Sequence, residues 1–447
     1  MEITILSKEK LKPSRPTPPH LRNHKLCLFD QLALGICITP IFFYKNNDPL
    51  SEADNCLKNS LSKTLTLFYP LAGELNTKDP TYVDCNDNGV LYVEAHVKNL
   101  LLDEFLENPN LSQLINFLPQ NASMSSMMKY VQSLETLVSI QVTRFDCGGV
   151  AMAGVLFHTL LDGASMSVFF NTWAKIARGG DSGMEEICLD FTSSSRLFPP
   201  ENHIPEELLE GEKELFFDEG MFLVRRFVFD AKAMEAIKMK VAREIVPNPT
   251  RVEALTTFIS KHLILATRVV KGTSSTSYMV THSVNLRPRL DPKLPSVFGN
   301  LVLLATSEIS ETLEVSHLVG IVRQMIRNMN TENLKALEGD GAAMSYVLEM
   351  ASSLENLWSQ MDTYKFSSWC HLGLYDVDFG WGKPIFIAPF IDTIGSLNKQ
   401  QIILLENGNN DGIEAWILRN NEEMLELEKD EEFLAYASPN PSVQYAP

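Results

Sequence analysis

Between residues 137 and 177 the chain changes hydrophobic period in a way that leaves few folds open. Two apolar runs, LVSIQVTRF and VAMAGVLF, flank Asp146-Cys147-Gly148-Gly149 and predict a pair of strands. The second run leads straight into His158. After Gly163 the pattern becomes helical: Met166, Phe169, Phe170, Trp173 and Ala177 recur at spacings of three and four and share one face. Strand, turn, strand and helix in this order place the segment in an α/β fold.

The same alternation runs through the rest of the chain. Ala53, Leu57, Leu61 and Leu65 predict a helix that starts at Ser51 as N-cap and is ended by Pro70 and Gly73. TYVDC and VLYVEAHV read as strands with Asp87-Asn88-Gly89 as the turn between them. Residues 12–19 are rich in proline and predict an extended lead-in. Later come the strand LVRRFVFD, a helix over 231–243 and a long helix beginning near Thr250. They are followed by the apolar strands YMVTHSVNL, LVLLAT, IFIAPF, IILLEN and IEAWIL and by an acidic C-terminal helix. From 181 to 219 periodicity disappears, as expected of a crossover. A length of 447 residues exceeds one ordinary core. The reading is therefore two α/β domains with mixed sheets, residues 1–180 and 220–447, joined by a linker over 181–219.

Composition removes several classes of function. A formal net charge of −18 repels phosphate backbones, so no nucleic-acid partner is expected. The seven cysteines are scattered and form no CxxC pair, which points to reduced thiols and to neither a metal site nor a disulfide framework. The N-terminal MEITILSKEKLKPS places charges where a signal peptide needs its apolar run, and no stretch reaches the ~18 apolar residues of a membrane span. A soluble cytoplasmic protein with no membrane contact is expected.

Three short segments carry chemistry. The first is His158-Thr159-Leu160-Leu161-Asp162-Gly163. Its HxxxD spacing is weak alone, with about 0.4 chance matches expected at this composition. Its place at a strand end is stronger: Gly163 frees the backbone to turn, and a histidine there can project into a cleft. Imidazole is also the side chain whose ordinary pKa suits a general base near neutral pH. A core histidine bonded to backbone, or an i, i+4 metal pair with Asp162, are the competing readings. The second segment runs from Asn285 through Arg287 and Arg289 to Asn300, where two arginines on a proline-stiffened loop could clamp a carboxylate or phosphates, or could simply be solvated. The third, Asp378-Phe379-Gly380-Trp381-Gly382, supplies no evident nucleophile or base and reads as a structural turn.

Taken together, in this order and at these separations, the segments resemble the BAHD acyltransferases of plant specialised metabolism. The likeness extends to LFDQL at 28–32, LSKTLTLFYPLAG, VDCNDNG, FDCGG, TRVEALT and SSWC, and so spans nearly the whole chain. Residues 367–384 look most like the branch of alkaloid and alcohol acetyltransferases; acyl-sugar acyltransferases lie near it. The resemblance implies two chloramphenicol-acetyltransferase-like domains around a central solvent channel, with HxxxD in the first and DFGWG in the second. It implies His158 as the catalytic base, and Asp162 turned away and paired with Arg287 or Arg289. It also implies Asp378, Gly380, Trp381 and Gly382 as support for the fold, and Thr250, Arg251 and Asn300 as coenzyme contacts. No permanently bound cofactor is implied; acetyl-CoA or another acyl-CoA is a co-substrate, a small-molecule alcohol is the acceptor, and the protein is a monomer. One departure stands out: Thr256 to His262 lacks the tryptophan that relatives often carry in this helix.

The implied reaction needs no acyl-enzyme, because a thioester is already activated. His158 takes the acceptor hydroxyl proton and returns it to the departing coenzyme A thiolate. A serine-dependent enzyme is the rival by class, but no GxSxG elbow occurs and Gly163-Ala164-Ser165-Met166-Ser167 lacks the closing glycine. A family member that only binds is a second rival. A longer acyl donor is a variant of the main reading.

Overall fold

The computed structural model describes the chain apart from residues 34–35, 46–51, 77, 120–135, 180–186, 207, 209–221, 273–276, 310–313, 359–360, 392–399, 409–410, 444 and 446–447. Ser51 and much of the 181–219 linker therefore lie outside the described residues.

Two large mixed sheets form the body of the molecule. The first runs, in spatial order, Glu2–Leu11, Val90–Lys98, Val138–Phe145, Val150–Phe157, Pro40–Tyr44 and Phe386–Pro389, with Cys37–Ile38 also on Val150–Phe157. Only the pairing of Val90–Lys98 with Val138–Phe145 is parallel. The second runs Val302–Ile309, Tyr278–Asn285, Asp362–Ser368, Gln401–Glu406, Ile413–Asn420, Phe222–Phe229 and Ser438–Pro439, with its second to fourth strands Tyr278–Asn285, Asp362–Ser368 and Gln401–Glu406 parallel. A fully buried strand needs no alternation, and Val138–Phe145 and Val150–Phe157 are buried at every position.

One strand breaks the division by sequence. Phe386–Pro389, from the second half, pairs antiparallel with Pro40–Tyr44 and completes the first sheet. A cut at residue 220 would separate it from its partner. The turn at Asp87-Asn88-Gly89 is real, with φ of +58° at Asp87 and +93° at Gly89. It does not close a hairpin, however. Tyr82–Asp84 belongs to a small separate sheet with Asn23–Lys25 and Glu74–Leu75, while Val90–Lys98 belongs to the first large one.

The helix Gly163–Gly179 packs on Glu52–Leu67, and the indole of Trp173 donates to the Leu57 carbonyl at 3.2 Å and the Ser60 hydroxyl at 3.0 Å. In the second half the long helix Arg251–Lys271 covers the sheet together with Ala231–Val241, Val315–Arg327 and Asn421–Leu427. Each half has its own apolar core, one around Phe43, Leu65, Phe117 and Trp173, the other around Phe258, Ile264, Val280 and Ile417. No helix among the described residues is long and apolar enough to cross a membrane.

Candidate active site

His158 stands where Val150–Phe157 ends and a single 3-10 turn begins. Its N–H donates to the Ile36 carbonyl at 2.9 Å, which pins the strand end. The ring is held by one residue from the other half of the chain. Asn300 donates its amide to the His158 carbonyl at 2.7 Å and to Asp30 at 2.9 Å, so its Oδ1 faces His158 Nδ1, 3.0 Å away. Nδ1 must then carry the ring proton, and Nε2 keeps a free lone pair. Asp30 accepts the backbone N–H groups of Asn300 and Cys27, both at 2.8 Å, and so fixes Asn300 in turn. Burial is the main influence on His158 and pushes its pKa down; Asp162 and Asn300 act in the opposite sense without overcoming it. The imidazole is neutral at working pH.

Asp162 does not touch the ring. Its Oδ2 accepts Arg287 at 2.6 Å and the Leu301 N–H at 3.0 Å, and its Oδ1 accepts the Ser165 N–H at 2.9 Å. Burial would raise this carboxyl, but Arg287 and the two backbone donors outweigh it and hold it below the usual range. Arg287 also donates to the Ser165 hydroxyl and the Gly299 carbonyl at 2.9 Å and to the Val297 carbonyl at 2.8 Å. Gly299 has φ of +118°, a backbone few other residues adopt, and this turns its carbonyl toward the guanidinium. The result is a buried clasp between the two halves immediately behind the histidine turn. Ser165, the serine of the near-miss elbow, spends its hydroxyl on Gly299 and Arg287.

Of the two arginines the spacing left open, Arg287 therefore pairs with Asp162. Arg289 instead donates to the carbonyls of Ile326 and Met329, at the C-terminal end of the helix Val315–Arg327. Gly163 does not use a conformation peculiar to glycine; an added Cβ there would meet Leu372 Cδ1 at 3.2 Å, so its role is to let that side chain approach. Asn300, grouped with coenzyme contacts by sequence, is 2% exposed and committed to His158 and Asp30. Thr250 is the N-cap of the long helix, in a capping box with Glu253, and Arg251 pairs with Glu406 at 3.1 Å.

The turn at Asp378 is built as a fold element. Its Oδ1 accepts the N–H groups of Gly380 and Gly382 at 2.7 and 3.0 Å, and both glycines have positive φ. Trp381 packs against the rings of Tyr44 and Phe379, and Arg178 pairs with Asp378 at 3.3 Å. None of residues 378–382 lines the cavity that His158 faces.

That cavity holds about 290 Å³ and lies between the two halves. The first contributes Phe29, Ile36, Cys37 and His158; the second contributes Thr281, Asn300, Val347, Lys365, Trp369 and Ile403. Asp30 and Cys27, which complete the support of the ring, were not singled out by sequence as site residues. The only signal for Asp30 was the LFDQL phrase following a proline-rich lead-in, and Cys27, one residue before it, had none.

A neutral imidazole braced at Nδ1 and presented to an interdomain cavity, on paired mixed sheets, defines an acyltransferase of the two-domain α/β type. The family model described as "Transferase family" matches residues 1–434, and the chain belongs to that family, the BAHD acyltransferases its motifs resemble. It is 40% identical to akuammiline synthase 2 of Alstonia scholaris, over 99% of this chain and 98% of that protein. It is 37% identical to limonoid 7-O-acetyltransferase of Citrus sinensis, over 99% of each. The crystal structure of vinorine synthase superposes with a TM-score of 0.82 at 30% identity, covering 99% of this chain and all of that one.

Proposed function

We propose that the protein transfers an acetyl group from acetyl-CoA to a hydroxyl of a plant specialised metabolite, an alkaloid or terpenoid alcohol, with His158 as general base. The observation that carries this reading is the geometry of one ring: Asn300 occupies Nδ1, and the ring borders a cavity large enough for reacting groups to meet. Nε2 accepts the acceptor's proton as its oxygen attacks the thioester carbonyl, and the imidazolium then protonates the leaving thiolate. Asp162 and Arg287 hold the histidine turn and pass no proton.

Supporting an acetyl donor is the limonoid 7-O-acetyltransferase above, whose name states acetyl transfer. Thr250 and Arg251 remain proposed contacts for the coenzyme phosphates. They sit at the start of a 21-residue helix, where backbone N–H groups and the helix dipole favour an anion beside the guanidinium. A cytoplasmic monomer is part of the same reading, its reducing compartment supported by seven cysteines that are all free thiols.

The test is direct. Purified protein given acetyl-CoA and an alcohol panel should release free coenzyme A thiol, and His158→Ala should lower that rate by about 10²- to 10⁴-fold. A serine-directed inactivator should leave it unchanged. Thiol release that survives His158→Ala sinks the mechanism.

A further inference from the structure

Asp30 keeps a carboxyl group where a neutral side chain would hold Asn300 equally well. The residue is 1% exposed and belongs to the short helix Leu28–Leu32 of the first half. The hydrogen bonds it makes are ones it accepts. Its Oδ1 takes the Asn300 N–H at 2.8 Å and Nδ2 at 2.9 Å, and its Oδ2 takes the Cys27 N–H at 2.8 Å. Among the described residues no lysine, arginine or histidine forms an ion pair with it; the influences on its carboxyl are burial, Cys27 and Asn300. Asp162, the other buried carboxylate beside the histidine turn, has Arg287 at 2.6 Å. A carboxylate buried without a cation is costly, and burial does push the Asp30 carboxyl up against the pull of its donors. An amide oxygen at position 30 would brace Asn300 without that cost. The charge itself needs a use.

Its line of action ends at His158. Asn300 gives Nδ2 to Asp30 and turns Oδ1 to His158 Nδ1 at 3.0 Å, so one planar amide joins carboxylate and imidazole. When Nε2 accepts the alcohol's proton, the ring becomes a cation. The other titratable and charged groups described around it are differently committed. Asp162 is matched by Arg287, burial pushes the thiols of Cys27 and Cys37 up and keeps them neutral, and Lys365, across the cavity, is a cation with interactions of its own.

Resting on His158 as the base, we propose that Asp30 is the counter-charge of the imidazolium, a positioning residue that acts through Asn300. The carboxylate draws on Nδ2–H and shifts electron density toward Oδ1, which strengthens its hold on Nδ1–H. That hold is tightest when the ring is charged, so it favours the transition state over the resting enzyme. No proton travels along the chain of bonds. Nδ1 keeps its own, the acquired proton stays on Nε2 until the thiolate takes it, and Asp30 remains ionised throughout. Unit charges roughly 7 Å apart at an effective dielectric of about 20 displace a titration by about one to two pH units.

The experiment separates charge from shape with Asp30→Asn, which keeps an oxygen toward Asn300. The His158 ring is titrated by NMR on protein labelled with ¹⁵N-histidine and assigned with His158→Ala, a readout that needs no turnover. Removing the anion should lower the ring's midpoint by about one pH unit or more. A merely structural role predicts the opposite sign, because a loosened ring regains solvent and rises toward its ordinary value of about 6.5. Thiol release from acetyl-CoA with an alcohol should fall about tenfold, with the acid limb of kcat/KM moving down alongside the ring. Asp30→Glu, which retains the charge, should lie between the two proteins in both readouts. A midpoint that stays or rises in Asp30→Asn overturns the inference. Should that variant fail to fold, ¹³C-aspartate NMR of the unaltered protein decides: every aspartate should be ionised at pH 7, and one still protonated there overturns it. A lowered midpoint in a protein that releases no thiol leaves the inference standing and defeats the proposed reaction instead.

Discussion

His158 works as a base only while its ring is neutral, and burial sets the pH range in which it is. Because burial lowers its pKa beneath the ordinary 6.5, the free-base form persists to more acid pH than an exposed histidine would allow. The acid limb of kcat/KM should therefore fall below pH 6.5, and a limb at or above that value would contradict the site described. Asn300→Ala removes the acceptor for Nδ1–H and the brace on the carbonyl. A kcat about 10²-fold lower is expected, with the KM for acetyl-CoA little changed, as steady-state kinetics would show. The motif identified His158 because a histidine at a strand end has a local signature. Asn300 and Asp30 have none, since their work depends on residues 142 and 270 positions apart meeting in space.

Asp162 and Arg287 belong to the same scale and obey a different rule. Removing one partner of a buried pair leaves an uncompensated charge, so Asp162→Ala should cost about 3–5 kcal/mol in denaturant unfolding. Replacing both, as Asp162→Leu with Arg287→Met, should recover part of that loss. The sign with pH follows from the lowered carboxyl: the pair's contribution is present above pH 3.8, the ordinary value, and disappears as acid protonates Asp162 below it.

At the scale of elements, caps and turns give some of the motif residues a structural task. Thr250 accepts the Glu253 N–H at 3.1 Å while Glu253 accepts the Thr250 N–H at 2.8 Å, and Arg323 clasps the same carboxylate at 2.7 Å. Thr250→Ala should destabilise the long helix by about 1 kcal/mol in thermal or urea unfolding, and Thr250→Ser should restore most of it. Strong periodicity made the helices Glu52–Leu67 and Gly163–Gly179 legible. The helices Val315–Arg327, Thr331–Lys335 and Ala342–Trp358 fell in a stretch that the sequence reading left unassigned. The edge strand Glu2–Leu11 was missed too, because exposed lysines and glutamates interrupt its apolar alternation. The parting of Tyr82–Asp84 from Val90–Lys98 was hidden for another reason: a good turn fixes a reversal of direction, not the sheet to which each arm belongs.

For the whole molecule, the exchange of Phe386–Pro389 into the first sheet has a practical outcome. Pro40–Tyr44 is buried throughout, and without that strand its edge would be bare. Residues 1–219 expressed alone should aggregate, and co-expression with 220–447 should restore soluble protein, as size-exclusion chromatography would report. The atoms that brace His158 also come from behind the ring, whereas the cavity floor is made by strands of the second sheet. Away from Asn285, which bonds Arg287, the floor and the brace on the ring are thus built from separate side chains. A substitution at Thr281 or Ile403 is expected to alter which alcohol fits while Asn300 keeps its hold on the base, so a scaffold of this kind can diversify in what it modifies while its chemistry stays constant.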